Sequence, residues 1–491
     1  MAVFLPLELL LIIADDLQAD GGSLIPCMAV CRRWRTAFGP LLYQNLVVTS
    51  AAAKLPEESG NNLRISLSTL QRITTGLGLA QRSWIRTVHY QIIVPVGLPD
   101  WHSRKRQGYS PENPTRHEND RAFQSGIFDL FETSADWNAG LRLHVNLTVC
   151  GRTEGLEPNT WQDEEVGLFK YDFLNGRTEA VPVYRASFLE EDGTLGRLLP
   201  DVRCIDRLTL PERPKYHQIW VGAAMRIAQH CPTLSALSLG LDECIRPDHL
   251  ESIQAPISDG LKLLPRSLKE FSLSNDDEKP WKDALPALDV VGSRPDTMPL
   301  NRRQSSLSLT KMTLSSLPID PDFLFPLDAQ GHPLPASEGL SWPQLEILEL
   351  SLMPPRIPSE QEYYDEYEFD ETYMLCDPCE GHMERDILDA EHFHRLLIAL
   401  GHAARRMPRL QKLQYALNNQ CEFWFQFKTK APERAEWTLT STSYQPDHRV
   451  AEAWSCPLSM LLHVEVCFQQ ESPCLSTPPS LLACDQQTEI V

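Results

Sequence analysis

Apolar residues near the start of the chain recur at helical spacing. Leu5-Pro6-Leu7-Glu8 reads as a helix start, because proline is favoured at the first helical position and an acid in the first turn complements the positive end of the helix dipole. Leu9, Ile13 and Leu17 then follow every four residues, with Leu10 three before Ile13, which draws one apolar stripe along a helix. Leu11 and Ile12 fall off that stripe, so the helix is apolar on more than one side, as a helix is when it covers a partner or another domain. Asp20-Gly21-Gly22-Ser23 ends it and is expected to cap a second helix, in which Leu24, Cys27, Met28 and Cys31 keep helical spacing and Pro26 sits in the first turn. Arg32-Arg33-Trp34 and Phe38 follow, then a Gly39-Pro40 break and Leu41-Leu42-Tyr43. Three helices this short make too small a core to stand unaided.

Farther along, one phrase repeats: apolar, two residues, apolar, one residue, apolar. It occurs as Ile205-x-x-Leu208-x-Leu210, Leu234-x-x-Leu237-x-Leu239, Leu268-x-x-Phe271-x-Leu273, Leu345-x-x-Leu348-x-Leu350 and Leu410-x-x-Leu413-x-Tyr415. A less regular copy is placed at Leu307-x-Leu309, and Ile85-x-x-Val88-x-Tyr90 reads as an earlier one. The last two apolar positions alternate as in a strand, and the first closes the turn that enters it. Pro232, Pro265, Pro343 and Pro408 precede four of the copies. His217 to His230, with Trp220, Ala223, Ala224 and Ile227, and Glu391 to Met407, with Phe393, Leu396, Leu397 and Leu400, read as helices stopped by Pro232 and Pro408. Helix, proline stop and short strand form a unit that stacks into a continuous core.

Several stretches interrupt this body. Trp101 to Asn119, with Arg104-Lys105-Arg106, is expected as a polar loop, and Phe169-x-Tyr171-x-Phe173 to Val181-x-Val183 as a hairpin turning at Asn175-Gly176. Asp276 to Asn301 and Asp328 to Gly339 read as loops, and the acid-rich Ser359 to Thr372 as a solvated insertion. After Gln470 the chain reads as a loose polar tail.

At 491 residues the chain exceeds one ordinary core, and 42% hydrophobic with 23% charged residues belongs to the soluble globular class. A formal charge of −21 argues against bulk nucleic-acid binding, which needs clustered Lys and Arg. The 13 cysteines are odd in number and scattered, unlike a secreted disulfide framework, so a reducing compartment is expected. The run Leu9 to Ile13 lacks the basic lead of a signal peptide and is far shorter than the ~20 residues of a membrane span. Asn146-Leu147-Thr148 fits a glycosylation acceptor only by chance if the chain is not secreted.

Catalytic and metal chemistry find no anchor in the sequence. Cys376, Cys379 and His382, with His392 and His394 after them, have zinc-ligand types, but no second Cys pair completes the set, and free thiols in an acidic loop are the plainer reading. Neither a Gly-x-Ser-x-Gly elbow nor a phosphate-cradling glycine loop occurs. Glu362, Asp365, Glu366, Glu368, Asp370 and Glu371 crowd together where acid/base catalysis would need two poised in a shielded cleft. No enzyme activity, cofactor or metal is expected.

The opening residues resemble the F-box motif. Leu5-Pro6-x-Glu8-Leu9-Leu10-x-Ile12-Ile13, Leu17 and Leu24, then Val30-Cys31-Arg32-Arg33-Trp34, follow its order, with a turn from Gln18 to Ser23 slightly longer than usual. The resemblance implies a module that binds a Skp-type adaptor and, through it, cullin and a RING subunit. Carried over position by position, the adaptor-binding residues would be Leu5, Pro6, Leu9, Leu10, Ile13, Val30, Cys31, Arg32 and Trp34, with Leu5 and Pro6 as direct contacts and Trp34 as an internal wedge. The body is similar to the leucine-rich-repeat bodies of fungal-type F-box proteins, although its copies are longer and less even than the roughly 20–29 residues of regular repeats. An ordinary α/β domain with leucine-rich strands stays open beside it.

The expected fold class is therefore α/β: a three-helix F-box at 1–48, an irregular leucine-rich-repeat-like solenoid of helix–strand units at 49–469 with insertions near 101–119, 276–301 and 355–385, and a flexible tail at 470–491. The implied function is a substrate-recognition subunit of a ubiquitin ligase, acting by proximity, in cytoplasm or nucleus, with an unknown protein substrate and neither nucleic acid nor membrane as partner. Two other readings stay open: a scaffold that binds the adaptor without directing ubiquitination, and an enzyme whose N-terminus imitates the motif.

Overall fold

The computed structural model describes residues 5–20, 22–51, 63–97, 114–154, 198–210, 219, 221–241, 264–275, 308–315, 324–328, 330–337, 340–351, 390–416, 423–431, 434–441 and 445–455. Three helices come first: α1 (Leu7–Ala19), α2 (Ile25–Met28) and α3 (Arg32–Gln44). Then come β1 (Asn45–Thr49), β2 (Leu63–Ser66), α4 (Leu67–Ile73), a 3-10 helix (Gly76–Trp84), β3 (Thr87–Gly97), α5 (Pro114–Ser134) and β4 (Leu143–Glu154). The chain continues through β5 (Ile205–Leu210), α6 (Val221–Gln229), β6 (Ala236–Leu241), β7 (Glu270–Asn275), β8 (Lys311–Ser315) and β9 (Ile347–Ser351). It closes with α7 (Ala390–Ala404), β10 (Lys412–Ala416), the hairpin β11 (Phe423–Ala431) and β12 (Arg434–Ser441), and α8 (His448–Trp454).

All described strands join one twelve-stranded sheet in the order β2-β1-β3 and then β4 to β12 in sequence. Neighbours are parallel from β2 through β10 and antiparallel from β10 to β12. The repeated phrase is the reason for the register. Leu46, Val88, Val145, Leu208, Leu237, Phe271, Met312, Leu348 and Leu413 stand opposite one another in turn across adjacent strands. Val48, Tyr90 and Leu147 begin a second row two residues on, and Leu210, Leu239, Leu273, Leu314, Leu350 and Tyr415 continue it. Both rows are buried. Since a strand's side chains alternate, a one-residue slip would turn both rows out of the core, and each fully buried Leu or Phe contributes about 1.5–3 kcal/mol.

The first apolar position closes the turn as its spacing predicts. Leu234, Leu345 and Leu410 donate their backbone N–H to the carbonyls of Cys231, Trp342 and Met407, which puts Pro232, Pro343 and Pro408 second in a four-residue turn, where a fixed φ is favoured. Leu268 donates instead to Pro265 itself, so Pro265 stands first. Among the described residues, α-helices lie between consecutive strands four times: α4 between β2 and β3, α5 between β3 and β4, α6 between β5 and β6, and α7 between β9 and β10. Tyr90 keeps its place in the core by donating its hydroxyl to the Gly126 carbonyl of α5 at 2.8 Å.

The opposite sheet face is polar. Asn146, Thr209, Ser238, Ser272, Thr313, Glu349 and Gln414 lie on it, all half-buried. His89 hydrogen-bonds Asn146 at 3.0 Å, and His144 bonds Thr209 at 3.0 Å. Glu349 receives Lys412 at 2.8 Å and Lys311 at 3.2 Å. Burial alone would raise the Glu349 pKa, but the two ammonium groups outweigh it and hold the carboxyl below its ordinary value.

Several expectations need correction. The copy placed at Leu307-x-Leu309 belongs five residues on: Met312 and Leu314 face the core in register with the neighbouring strands, and the buried Leu309 takes the first apolar position. Gly39-Pro40 does not break the third helix, which runs to Gln44. Pro40 forfeits one backbone bond, while Leu41 and Leu42 keep the apolar spacing that packs on α1 and α2. Ser23 does not cap α2, whose N-cap is Leu24 without a side-chain bond. Pro114 to Asn119 are helical, because Pro114 opens α5 rather than continuing the loop. Of the helix expected from His217 to His230, the described part is Val221–Gln229. The hairpin at Phe169 to Val183, the loop Asp276 to Asn301, the acidic segment Ser359 to Thr372, Cys376, Cys379, His382 and the tail lie outside the described residues.

Candidate functional site

The helices α1, α2 and α3 fold around a small core of their own, made of Leu10, Ala14, Leu24, Ala37 and Phe38, with Leu7, Ile13, Leu17, Cys27, Met28, Trp34, Leu41 and Leu42 packed at its edge. Each feature has a local cause. Pro6 is the N-cap of α1, with ψ 152°, and its carbonyl accepts from the Leu10 N–H at 3.2 Å. The α1 C-terminus closes by Gly22 N–H donating to the Leu17 carbonyl at 2.7 Å, which turns the chain back toward α2. Cys31 is the extended N-cap of α3, and the Arg35 N–H reaches its carbonyl at 3.0 Å. Trp34 stacks on Phe38 with ring centroids 5.1 Å apart and planes 6° from parallel.

The residues expected at the site divide into two groups. Leu10 is 1% exposed and belongs to the core, while Ile13 and Trp34 are half-buried at its rim. Leu5, Pro6, Leu9, Val30, Cys31 and Arg32 are exposed. Leu5, Leu9 and Ile12 recur at i, i+4 and i+7, on the side of α1 away from Leu10 and Ala14. Leu9 is 45% exposed, Ile12 54% and Val30 61%. Exposed apolar side chains are ordinary when single. Here six of the nine large ones in the described residues (Leu5, Leu9, Leu11, Ile12, Ile25 and Val30) fall within the first two helices and their ends. Such a concentration marks a surface for association. Leu11 and Ile12 are already visible in the sequence as apolar residues off the stripe of Leu9, Ile13 and Leu17; Ile25 carries no such signal.

Charge sorts by helix. Glu8, Asp15 and Asp16 are exposed on α1, while Arg32, Arg33 and Arg35 are exposed in the first turn of α3. Cations at a helix N-terminus face the positive end of the dipole, which disfavours each by roughly 0.3–1 kcal/mol. An arrangement of that kind is eased by an acidic surface brought against it.

Among the described residues no group of three or more His, Cys, Asp or Glu is disposed to hold a metal, and no helix is long and apolar enough to cross a membrane. His394, from the zinc-type set, sits 3.9 Å from Asp447. Asn146 of the glycosylation-type triplet lies within β4, bonded to His89, with Leu147 in the core. No curated protein and no solved structure matches the chain. Residues 3–49, the segment that folds into these three helices and the first strand, match the F-box-like family model.

Proposed function

We propose that this chain is the substrate-recognition subunit of a cullin-RING ubiquitin ligase. F-box domains bind Skp-type adaptors, and the observation that carries the reading is the concentration of exposed apolar residues on the matching module. In this reading Leu5, Pro6, Leu9, Val30, Cys31 and Arg32 meet the adaptor directly, joined by Ile12. Leu10, Ile13 and Trp34 act from beneath by holding α1 and α3 in place. The first-turn arginines of α3 take an acidic stretch of the adaptor.

The body is a leucine-rich-repeat-like solenoid that holds a protein target, on the support of its in-register leucine rows and sequential parallel strands. Transfer then follows from proximity: a target lysine is kept near the charged ubiquitin, with no chemistry supplied by this chain. The test is co-purification with a Skp-type adaptor, comparing wild type with Leu9→Asp/Ile12→Asp, two exposed positions whose change leaves the core intact. Loss of adaptor from the variant is expected. Equal recovery from both would sink the reading.

A further inference from the structure

We propose that Trp84 is a positioning residue that fixes the direction in which the three-helix module leaves the sheet. The module and the body are joined without a linker: α3 ends at Gln44 and β1 begins at Asn45. One covalent joint alone leaves the module free to swing about it, because relative motion is the default between small folded units. A second contact off that axis removes the freedom.

Trp84 supplies the second contact. It is the last residue of the 3-10 helix, and its indole lies flush against the backbone of α3 at Gly39. A Cβ added at Gly39 would fall 2.9 Å from Trp84 Cζ3 and 3.3 Å from Cη2, so only glycine admits the ring without displacement. One turn on, the Tyr43 ring meets the same indole at 6.1 Å. The 3-10 helix is in turn fastened to the body. Arg82 donates Nε to the Thr74 carbonyl at 2.7 Å, pairs with Asp136 at 3.1 Å and lies 5.4 Å over the Trp137 ring. The joint itself is pinned by Arg86 N–H donating to the Gln44 carbonyl at 2.9 Å, while the Arg86 carbonyl accepts from His144 N–H at 2.8 Å. The helical module is therefore held at Gln44 by the sheet and at Gly39 by Trp84.

The consequence for ubiquitin transfer, a fixed span from adaptor to target, rests on the adaptor reading above; the orientation itself does not. The experiment places two fluorophores by non-cysteine chemistry, since the chain has 13 cysteines, at exposed Gln18 on α1 and exposed Arg121 on α5. Single-molecule energy transfer then gives the interlabel distance distribution, with and without adaptor. Trp84→Ala is expected to broaden the distribution about twofold, Trp84→Phe to restore most of its width, and adaptor recovery to stay at the wild-type level. Gly39→Leu, which removes no buried surface, is expected to shift the mean distance, and it decides the matter if Trp84→Ala fails to fold. Wild-type distributions in both variants would overturn the proposal. Failure of wild type to bind adaptor would overturn the ligase reading and leave the distances to stand by themselves.

Discussion

Trp454 closes the C-terminal end of the sheet by lying where a side chain at position 401 would have to be. A methyl group at Gly401 would sit 2.6 Å from Trp454 Cδ1, and the indole Nε1 donates to the Leu397 carbonyl one turn earlier at 2.8 Å. The ring also meets Phe425 and Phe427 at 5.5 and 5.6 Å, so α8 is fastened at once to α7 and to the hairpin. Arg449 adds a two-pronged ion pair to Glu391 at 2.7 Å in each arm. Trp454→Ala should destabilise the body by about 3–5 kcal/mol. Gly401→Val should approach that loss by expelling the ring, which denaturant unfolding of the two variants measures. A Gly401→Val protein as stable as wild type would show that the ring has another seat.

The turns offer a finer comparison. Pro232, Pro343 and Pro408 occupy the second position of their turns, where a locked φ restricts the unfolded chain without straining the folded one. Replacing each by alanine should lower stability by about 0.4–1 kcal/mol. Pro265 stands first in its turn, a place with no such φ preference, and Pro265→Ala should be smaller. Unfolding midpoints of the four single variants check the order; equal losses at all four would refute the assignment.

Much of this fold is legible because the leucine rows repeat a spacing that physics enforces. Leu234, Leu237 and Leu239 announce turn, core and core by their spacing alone. The rest is hidden for specific reasons. In β4 the register shifts between Leu143 and His144, so Leu143, Val145 and Leu147 read as plain alternation and not as the phrase. Just before β8 the alternating pair Leu307 and Leu309 imitates the end of the phrase, while Leu309-x-x-Met312-x-Leu314 spells it in full five residues on. Leu46 and Val48 lie in the shadow of the helical motif just before them, although they begin both rows. At the site, the motif residues are legible, but the division between Leu9 outside and Leu10 inside is not. That division depends on the rotation of α1 against α3, which spacing alone leaves undetermined by one residue.

That division makes a prediction. Leu10→Ala removes a 1%-exposed side chain from a core of five buried residues and should cost the module about 2–5 kcal/mol. Leu9→Ala, one residue away at 45% exposure, should leave stability within about 0.5 kcal/mol and weaken adaptor binding alone. Thermal unfolding and adaptor titration on the same two proteins separate the effects. Equal loss of stability in both would mean that α1 is rotated from its place here.

Acid should loosen the body before it touches the carboxylates. His89 is held below its ordinary pKa by burial, His144 by burial aided by Arg207 and His89, and His402 by burial aided by Arg405. Each therefore binds its proton less readily in the folded chain than in the unfolded one, whose histidines keep a value near 6.5. As pH falls through that value the unfolded state takes up protons first, and stability falls with it until the depressed folded values are passed. The stability these groups contribute is whole above the unfolded value and shrinks on the acid side. Glu349 and Glu391, whose ordinary value is 4.5, and Asp447, at 3.8, are lowered and lose their share only at still lower pH. Comparing urea midpoints at about pH 7.5 and about pH 5.5 thus isolates the imidazoles. The midpoint should drop at the lower pH, and a protein carrying His89→Gln, His144→Gln and His402→Gln should show a smaller drop than wild type. An unchanged drop in the triple variant would place the acid sensitivity elsewhere in the chain.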